Sequence, residues 1–335
     1  MRNNNIRLTS TEIGGMWTTY MQDSMAVCFF KYFQHHTEDN EILTIVEEAL
    51  VTSQNHLKQI EKIFNEENLP IPNAFTENDY HLSTPPLFYD LFSLSFVYGL
   101  SRLAMPTYGN IVSTVARKDI VEFFSNCMIT SKDLYNKTLK LMLSKGIYDR
   151  PPKIPYPKEV SFASDKSYLG NFFGSKRPLN VVELTELFFQ IEQNYFGTIL
   201  LTGFLQVVKD KEIKQYFKTG KKLAEKQINI SIEILRKDGM QGNVPVSLEV
   251  TDSTTAPFSD KLMLYIINSL NSSWINYLGH ALSTTMRKDL GTKYFRLLPE
   301  ILTYAEEGLE LLIERNWFEQ PPQSLDREKL IKQEK

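Results

Sequence analysis

Few side chains in this sequence have the types and spacing that a catalytic or metal site requires. A carboxylate-bridged di-iron centre in a four-helix bundle takes a Glu from each of two helices and Glu-x-x-His from each of the other two. His56 lies on the apolar stripe of the second predicted helix, but the residue three positions earlier is Ser53. The matching pair in the second half of the chain is Ala224 and Gln227, and the fourth predicted helices contain no histidine. We therefore expect no di-iron or di-manganese centre in either half.

A smaller polar set remains inside the predicted helices. Asp23 lies one turn before Val27 on an inward helix face, within reach of His56 on the next helix. Asn194 and Gln227 occupy the matching positions in the second half. Two interpretations stay open for this set. It is either a remnant ligand pocket or a hydrogen-bonded core pair that fixes the register of the helices.

Other features of the sequence exclude several classes of function. No glycine-rich phosphate loop or nucleophile elbow is present. Cys28 and Cys127 are too few for a disulfide framework and too isolated for zinc, so no cofactor is expected. The net charge of −3 does not indicate binding to nucleic acid. No apolar run approaches the ~20 residues that a membrane span requires. Since the N-terminus also lacks the apolar core of a signal peptide, the sequence predicts a cytoplasmic protein without a transmembrane segment.

The helices that must position these residues are encoded by a sequence that occurs twice along the chain. The stretch S-T-V-A-R-K-D-I at Ser113–Ile120 returns as S-T-T-M-R-K-D-L at Ser283–Leu290, 170 residues later. Earlier in each half the offset is 171, as for Glu12 and Glu183. The offset changes between about residues 70 and 82, where a small insertion or deletion implies a surface connection. An ordered series of matches at nearly constant spacing indicates an internal duplication.

Each half is predicted to contain four helices. Thr9-x-x-Glu12 is a capping box that begins the first helix, and Asn180-x-x-Glu183 is its counterpart. The first helix is expected to end near His36, and the next to run from a cap at Asp39 or Thr37 to about residue 68. The third is expected over 87–115, with a bend at Pro106, and the fourth up to about residue 145. The counterparts of the second, third and fourth helices end near residues 237, 286 and 315.

The connection over residues 69–85 decides the topology. Seventeen extended residues reach up to roughly 55 Å, whereas a helix of this length spans about 40 Å. A connection that runs the full length of a bundle is typical of ferritin-like folds. We therefore predict an all-α protein of two tandem four-helix ferritin-like up-down bundles, each with one long crossover. A plain up-down bundle with a floppy loop is the alternative.

The repeated R-K-D segment has a structural interpretation and a functional one. Asp119 is predicted to cap the fourth helix, with Arg117 and Lys118 against the carbonyl end of the third. The alternative is that Arg117 and Arg287 bind a ligand.

The two bundles are expected at residues 1–147 and 178–322, with a linker at 148–177 and a charged, frayed tail at 323–335. The linker is rich in proline and contains six aromatic residues, of which four, Phe162, Tyr168, Phe172 and Phe173, lie in its C-terminal part. A free linker has no need of four aromatics, so we expect it to pack along the bundles and to fix their relative orientation.

Three segments carry a resemblance to a known family. They are L-T-S-T-E-I-G-G-M-W-T-T-Y-M-Q-D-S-M (Leu8–Met25), R-P-P-K-I-P-Y-P-K-E-V (Arg150–Val160) and E-V-T-D-S-T-T-A-P-F-S-D-K-L-M (Glu249–Met263). With the R-K-D turns, they resemble tandem ferritin-like proteins of unknown function from Bacillus-type bacteria, which are spore-coat-protein-like and related to the coat F domain. The resemblance implies an association with sporulating bacteria, in the mother cell or on the spore. It implies no activity and no catalytic residue.

Three functions are compatible with these observations. The first is a non-catalytic structural or interaction protein associated with sporulation, whose partners are other proteins or further copies of itself. The second is a small-ligand carrier or sensor that uses the polar pocket inside the first bundle. An enzyme comes third, because no catalytic constellation is present. A ligand pocket of roughly 300 Å³ or more would favour the carrier.

Overall fold

In the computed structural model, which describes residues 6–170, 176–240 and 249–333, the chain is built of α-helices. The first half contains helices α1 (Ser10–His36), α2 (Asn40–Glu66), α3 (Asp90–Val112) and α4 (Lys118–Ser144). The second half contains α5 (Val181–Val207), α6 (Lys211–Lys237), α7 (Asp260–Thr284) and α8 (Lys288–Glu314), and a short α9 (Arg327–Gln333) follows. The described part of the chain holds two isolated β-bridges and no strand. The predicted all-α class is confirmed.

The duplication is visible in the helix boundaries. Helices α1 and α5 each have 27 residues, and their ends differ by 171 positions. Helices α4 and α8 also have 27 residues each, offset by 170. Both predicted capping boxes are present, with the side chains of Thr9 and Asn180 accepting from the backbone N–H groups of Glu12 and Glu183. Local capping signals therefore fix where the repeated helices begin.

The connection between α2 and α3 runs from one end of the helices to the other. Asp90, the first residue of α3, accepts hydrogen bonds from the backbone N–H groups of Glu38 and Asp39 just before α2, at 2.9 and 2.8 Å. The opposite end of α2 meets the start of α4, where Glu67 pairs with Arg117. Helices α2 and α3 thus run parallel. The expected crossover is confirmed, and the up-down order is wrong at this connection.

The two crossover segments, residues 67–89 and 249–259, pair with each other. His81 donates its backbone N–H to Pro257 at 2.8 Å, and Thr251 donates to Leu87 at 3.0 Å. The residue numbers of the two bonds are related by the repeat. Adding 170 to the number of the donor residue His81 gives Thr251, and subtracting 170 from that of the acceptor residue Pro257 gives Leu87. A second pair of bonds obeys the same rule, from Tyr89 to Glu249 at 3.1 Å and from Ser259 to Asp79 at 2.9 Å. The halves are therefore related by a pseudo-two-fold axis at the crossover segments.

One hydrophobic core cluster extends through both halves, and a second cluster lies within the second half. The ring of Phe29 in α1 lies 4.3 Å from the ring of Phe258 and 4.9 Å from that of Phe96. Phe92 of α3 stacks on Phe196 of α5 at 5.6 Å. Each buried aromatic ring removes a large apolar area from water. The contact between the halves is therefore part of the folding core.

The connecting segment differs in part from its expectation. All residues from 153 to 167 are exposed, so the centre of the linker does not pack along the helices. Tyr168 does make a contact, with the guanidinium of Arg177 4.2 Å from its ring centroid, whereas Phe172 and Phe173 lie outside the described residues. In the tail, residues 327–333 form helix α9, whose residues 327–332 are exposed, and fraying of the tail stays a prediction. Proline and aromatic residues occur in buried and in exposed extended segments alike, so composition alone did not decide between them.

Candidate functional site

The repeated R-K-D segment is held by a glutamate of the capping box. One carboxylate oxygen of Glu12 accepts from the backbone N–H of Thr9 at 2.7 Å. The other accepts from the backbone N–H groups of Ala116 and Arg117, at 3.2 and 2.8 Å. One buried carboxylate therefore joins the start of α1 to the start of α4. Burial opposes ionisation, but these hydrogen bonds outweigh it and lower the pKa of Glu12.

The second half repeats this arrangement with an added ion pair. Glu183 accepts from the backbone N–H groups of Asn180 and Arg287 at 3.1 and 3.0 Å. It also forms a two-pronged ion pair with Arg177, with both N–O distances at 2.8 Å. Although burial again opposes ionisation, the pair with Arg177 and the backbone bonds lower the pKa of Glu183.

The arginines of the repeated segment have protein partners. The guanidinium of Arg117 donates to Asp119 at 2.8 Å and also pairs with Glu67. Arg287 is buried and donates to Asp289 at 3.0 Å. Asp119 is not the cap that the sequence predicted, because the N-cap residue of α4 is Arg117 and no side chain caps it. The carboxylate of Glu12 instead accepts from the backbone N–H groups just before α4, and the contacts favour the structural interpretation of this segment.

Asp23 and His56 are in contact inside the first half. Nδ1 of His56 lies 3.0 Å from Oδ2 of Asp23, and both residues are buried. Ser53, one turn before His56 in α2, donates its hydroxyl to Oδ1 of Asp23 at 2.7 Å. Tyr108 and Phe123 meet the histidine ring edge to face, at 6.1 and 6.0 Å. These contacts fix the orientation of the imidazole, because each of its neighbours comes from a different helix.

The pair lines a pocket with a volume of about 100 Å³. Its walls come from α1 to α4 and from α7 of the other half. The walls are mostly apolar and include Met25, Ala26, Phe30, Val97, Leu134 and Leu270. Helix α7 also contributes the hydroxyls of Ser269 and Ser273. The pocket therefore lies at the contact between the halves.

Two other ionisable groups near the pair, Tyr108 and Cys127, have raised pKa values. Burial, with the charge of Asp23 as a second cause, raises the pKa of Tyr108 well above its ordinary value. The same two causes raise the pKa of the Cys127 thiol. A thiol held in its neutral form is a poor nucleophile and a poor metal ligand. Within residues 6–170, 176–240 and 249–333, no group of three or more His, Cys, Asp and Glu is placed to hold a metal ion.

The matching residues of the second half are not hydrogen-bonded to each other. The side-chain amide of Asn194 donates to the carbonyl of Gln190 in its own helix at 2.9 Å. The side-chain oxygen of Gln227 is buried without a hydrogen-bond partner. Both residues line a smaller pocket of about 50 Å³. The ionisable pair of the first half is therefore replaced by neutral amides.

Sequence reasoning missed Ser53 as a partner of Asp23, and it missed the wall that α7 contributes. Ser53 was recognised as lying three positions before His56, and that spacing could have identified the hydroxyl. No local pattern links α7 to the first half. Its contribution follows from the pseudo-two-fold packing.

Comparisons with known proteins place the chain in a family. A family model described as "Protein of unknown function (DUF3231)" matches residues 1–160 and again 167–330. The chain belongs to this family. The resemblance seen in the sequence is thereby confirmed at the level of the family, and the double match agrees with the duplicated helices.

One solved structure is similar to part of the chain. It is the crystal structure of a protein from Bacillus halodurans that its title describes as "a putative spore coat protein". The two are 21% identical over 45% of this chain and 98% of that chain, with a TM-score of 0.42. A search of the curated proteins finds no match. As for the membrane, none of the helices described is both long and apolar enough to cross one.

Proposed function

We propose that the chain is a non-catalytic structural or interaction protein associated with sporulation. It would act in the mother cell or on the spore, through contacts with other proteins or with further copies of itself. In this proposal each half is a ferritin-like four-helix bundle, over residues 1–147 and 178–322, with a linker at 148–177 and a tail at 323–335. The family resemblance supports the link to sporulation. The crossover between the parallel helices α2 and α3 supports the ferritin-like connection.

The exposed linker is the observation that carries this proposal. The exposed fractions of Tyr156 and Phe162 are 96% and 91%. Large apolar side chains exposed together mark interaction sites in proteins that otherwise bury them. The segment is also rich in proline, and because proline restricts the backbone of the unbound chain, a proline-rich segment binds a partner groove with a small loss of conformational entropy. The linker is therefore suited to dock onto another protein.

Localisation of a fluorescent fusion in a sporulating Bacillus tests the proposal. We expect the wild-type fusion to concentrate on the forespore, and the double variant Tyr156→Ser/Phe162→Ser to lose this localisation with an unchanged circular dichroism spectrum. Phe295→Ser is the matched control, because Phe295 is an exposed aromatic on α8, outside the linker. A wild-type fusion spread uniformly through vegetative cells would overturn the proposed role. Forespore localisation that persists in the double variant would overturn the role of the linker.

A small-ligand carrier or sensor is the second candidate function. The observation that favours it is the pocket lined by Asp23 and His56. Its volume of about 100 Å³ is smaller than the roughly 300 Å³ at which pockets for drug-sized ligands begin. A carrier of large ligands is therefore disfavoured, and only a compact molecule fits this pocket.

A further inference from the structure

We infer that the pocket beside His56 binds a small neutral molecule that has an apolar body about the size of one aromatic ring and a hydroxyl group that forms a hydrogen bond with Nε2 of His56. This site is independent of the structural role proposed for the linker. It uses different residues, and its test has a different readout.

The hydrogen bonding of the Asp23–His56 pair leaves one atom open. Both oxygens of Asp23 have protein partners, Ser53 at 2.7 Å and Nδ1 of His56 at 3.0 Å. A carboxylate only accepts hydrogen bonds, so Nδ1 of His56 carries a hydrogen and donates it to Asp23. Nε2 has no hydrogen-bond partner among the residues that the structure describes. An unpaired ring nitrogen in a mostly apolar pocket favours a ligand with one hydroxyl group, because a hydroxyl can both donate and accept a hydrogen bond.

The volume and the walls of the pocket determine the size and the polarity of the rest of the ligand. A dry cavity of about 150 Å³ lined by Leu, Ile and Phe binds benzene. The pocket beside His56 has about 100 Å³, which is of the same order, and apolar side chains such as Phe30 and Leu134 line it. A charged ligand would lose its hydration there, and both oxygens of Asp23 already have hydrogen-bond partners in the protein, so a neutral ligand is favoured. Phenol has the required size, neutrality and hydroxyl group.

The second half provides an internal contrast. Its pocket has about half the volume, about 50 Å³, and contains Asn194 and Gln227 in place of the Asp–His pair. The duplication thus placed two pockets at related positions, and only the first combines the larger volume with an oriented imidazole. We expect a single ligand site per chain.

Binding of phenol and toluene to the full-length chain tests this inference, because the two differ in the hydroxyl group but hardly in size. Isothermal titration calorimetry should give phenol an affinity at least tenfold higher than that of toluene. Equal affinities, or no binding of phenol, in the wild-type protein would overturn the inference without any variant.

Three variants locate the site. His56→Asn keeps a donor near Asp23 but removes the position of Nε2, so it should reduce the preference for phenol to less than about twofold. Ala26→Leu should abolish binding of both compounds, because Ala26 lines this pocket. Ala224→Leu is the matched control, since Ala224 lines only the second-half pocket of the two. Circular dichroism verifies the fold of each variant, and phenol binding that survives in folded Ala26→Leu would overturn the assignment.

Discussion

Replacement of Glu12 by glutamine tests how one side chain stabilises two helix ends. Its oxygen Oε2 accepts from the backbone N–H and the hydroxyl of Thr9, at 2.7 and 2.9 Å. Its oxygen Oε1 accepts from the backbone N–H groups of Ala116 and Arg117, at 3.2 and 2.8 Å. Glutamine has one carbonyl oxygen, so Glu12→Gln can satisfy the start of α1 or the start of α4 but not both.

The expected loss of stability follows from these bonds. Two hydrogen bonds to a charged acceptor disappear, and each contributes about 1.5–3 kcal/mol. Thr9 is exposed, so water molecules can replace part of the hydrogen bonding that the variant loses at the start of α1. We therefore expect the free energy of unfolding of Glu12→Gln to be lower by about 2–4 kcal/mol at pH 7.

The pH dependence of the stability difference gives an independent check on the role of the Glu12 charge. The pKa of Glu12 is lowered in the folded protein, because its hydrogen bonds outweigh the effect of burial. The carboxylate therefore contributes its full stability above the ordinary glutamate pKa of about 4.3, and this contribution disappears as the pH falls through the lowered folded value. The difference between wild type and variant should be largest near neutral pH and should shrink below about pH 4.3.

Urea unfolding followed by far-UV circular dichroism measures this difference from pH 7 down to pH 3.5. The control is Glu225→Gln, because Glu225 is exposed on α6 and should change stability by no more than about 0.5 kcal/mol. A loss below about 0.5 kcal/mol for Glu12→Gln at pH 7 would refute the shared-cap interpretation. A loss that does not depend on pH would refute the role of the charge.

Two further substitutions probe the second half by the same urea assay. Glu183→Gln should cost more than Glu12→Gln, about 3–5 kcal/mol, because it also leaves the half-buried Arg177 without its ion-pair partner; equal losses for the two variants would contradict this. Gly203→Ala should destabilise by about 1–3 kcal/mol, since the new methyl would lie 2.7 Å from the buried ring of Phe88. Gly197→Ala in the same helix is its control and should be neutral or stabilising by up to about 1 kcal/mol, because its methyl would meet nothing within 4 Å. Similar effects at both glycines would show that helix propensity, and not the contact between the halves, governs stability at these positions.

The sequence by itself determined the class of the fold, the duplication and most helix boundaries. Capping boxes act within four residues, so Thr9 and Asn180 set the starts of α1 and α5 without help from the rest of the chain. The length of the first crossover was also enough to predict its path, because chain reach is a local property. The proximity of Asp23 and His56 followed from helix periodicity on two neighbouring helices.

Only the tertiary structure decided how the halves meet and what surrounds the pair. The bond from Arg117 to Glu12 joins residues 105 positions apart, and that from Thr251 to Pro86 joins residues 165 apart. The pocket wall from α7 and the exposed position of Tyr156 likewise had no signature in the sequence. The physical reason is that caps and helix stripes depend on neighbours within about two turns of the chain. Packing between halves depends instead on the shapes of surfaces that exist only after the helices have formed.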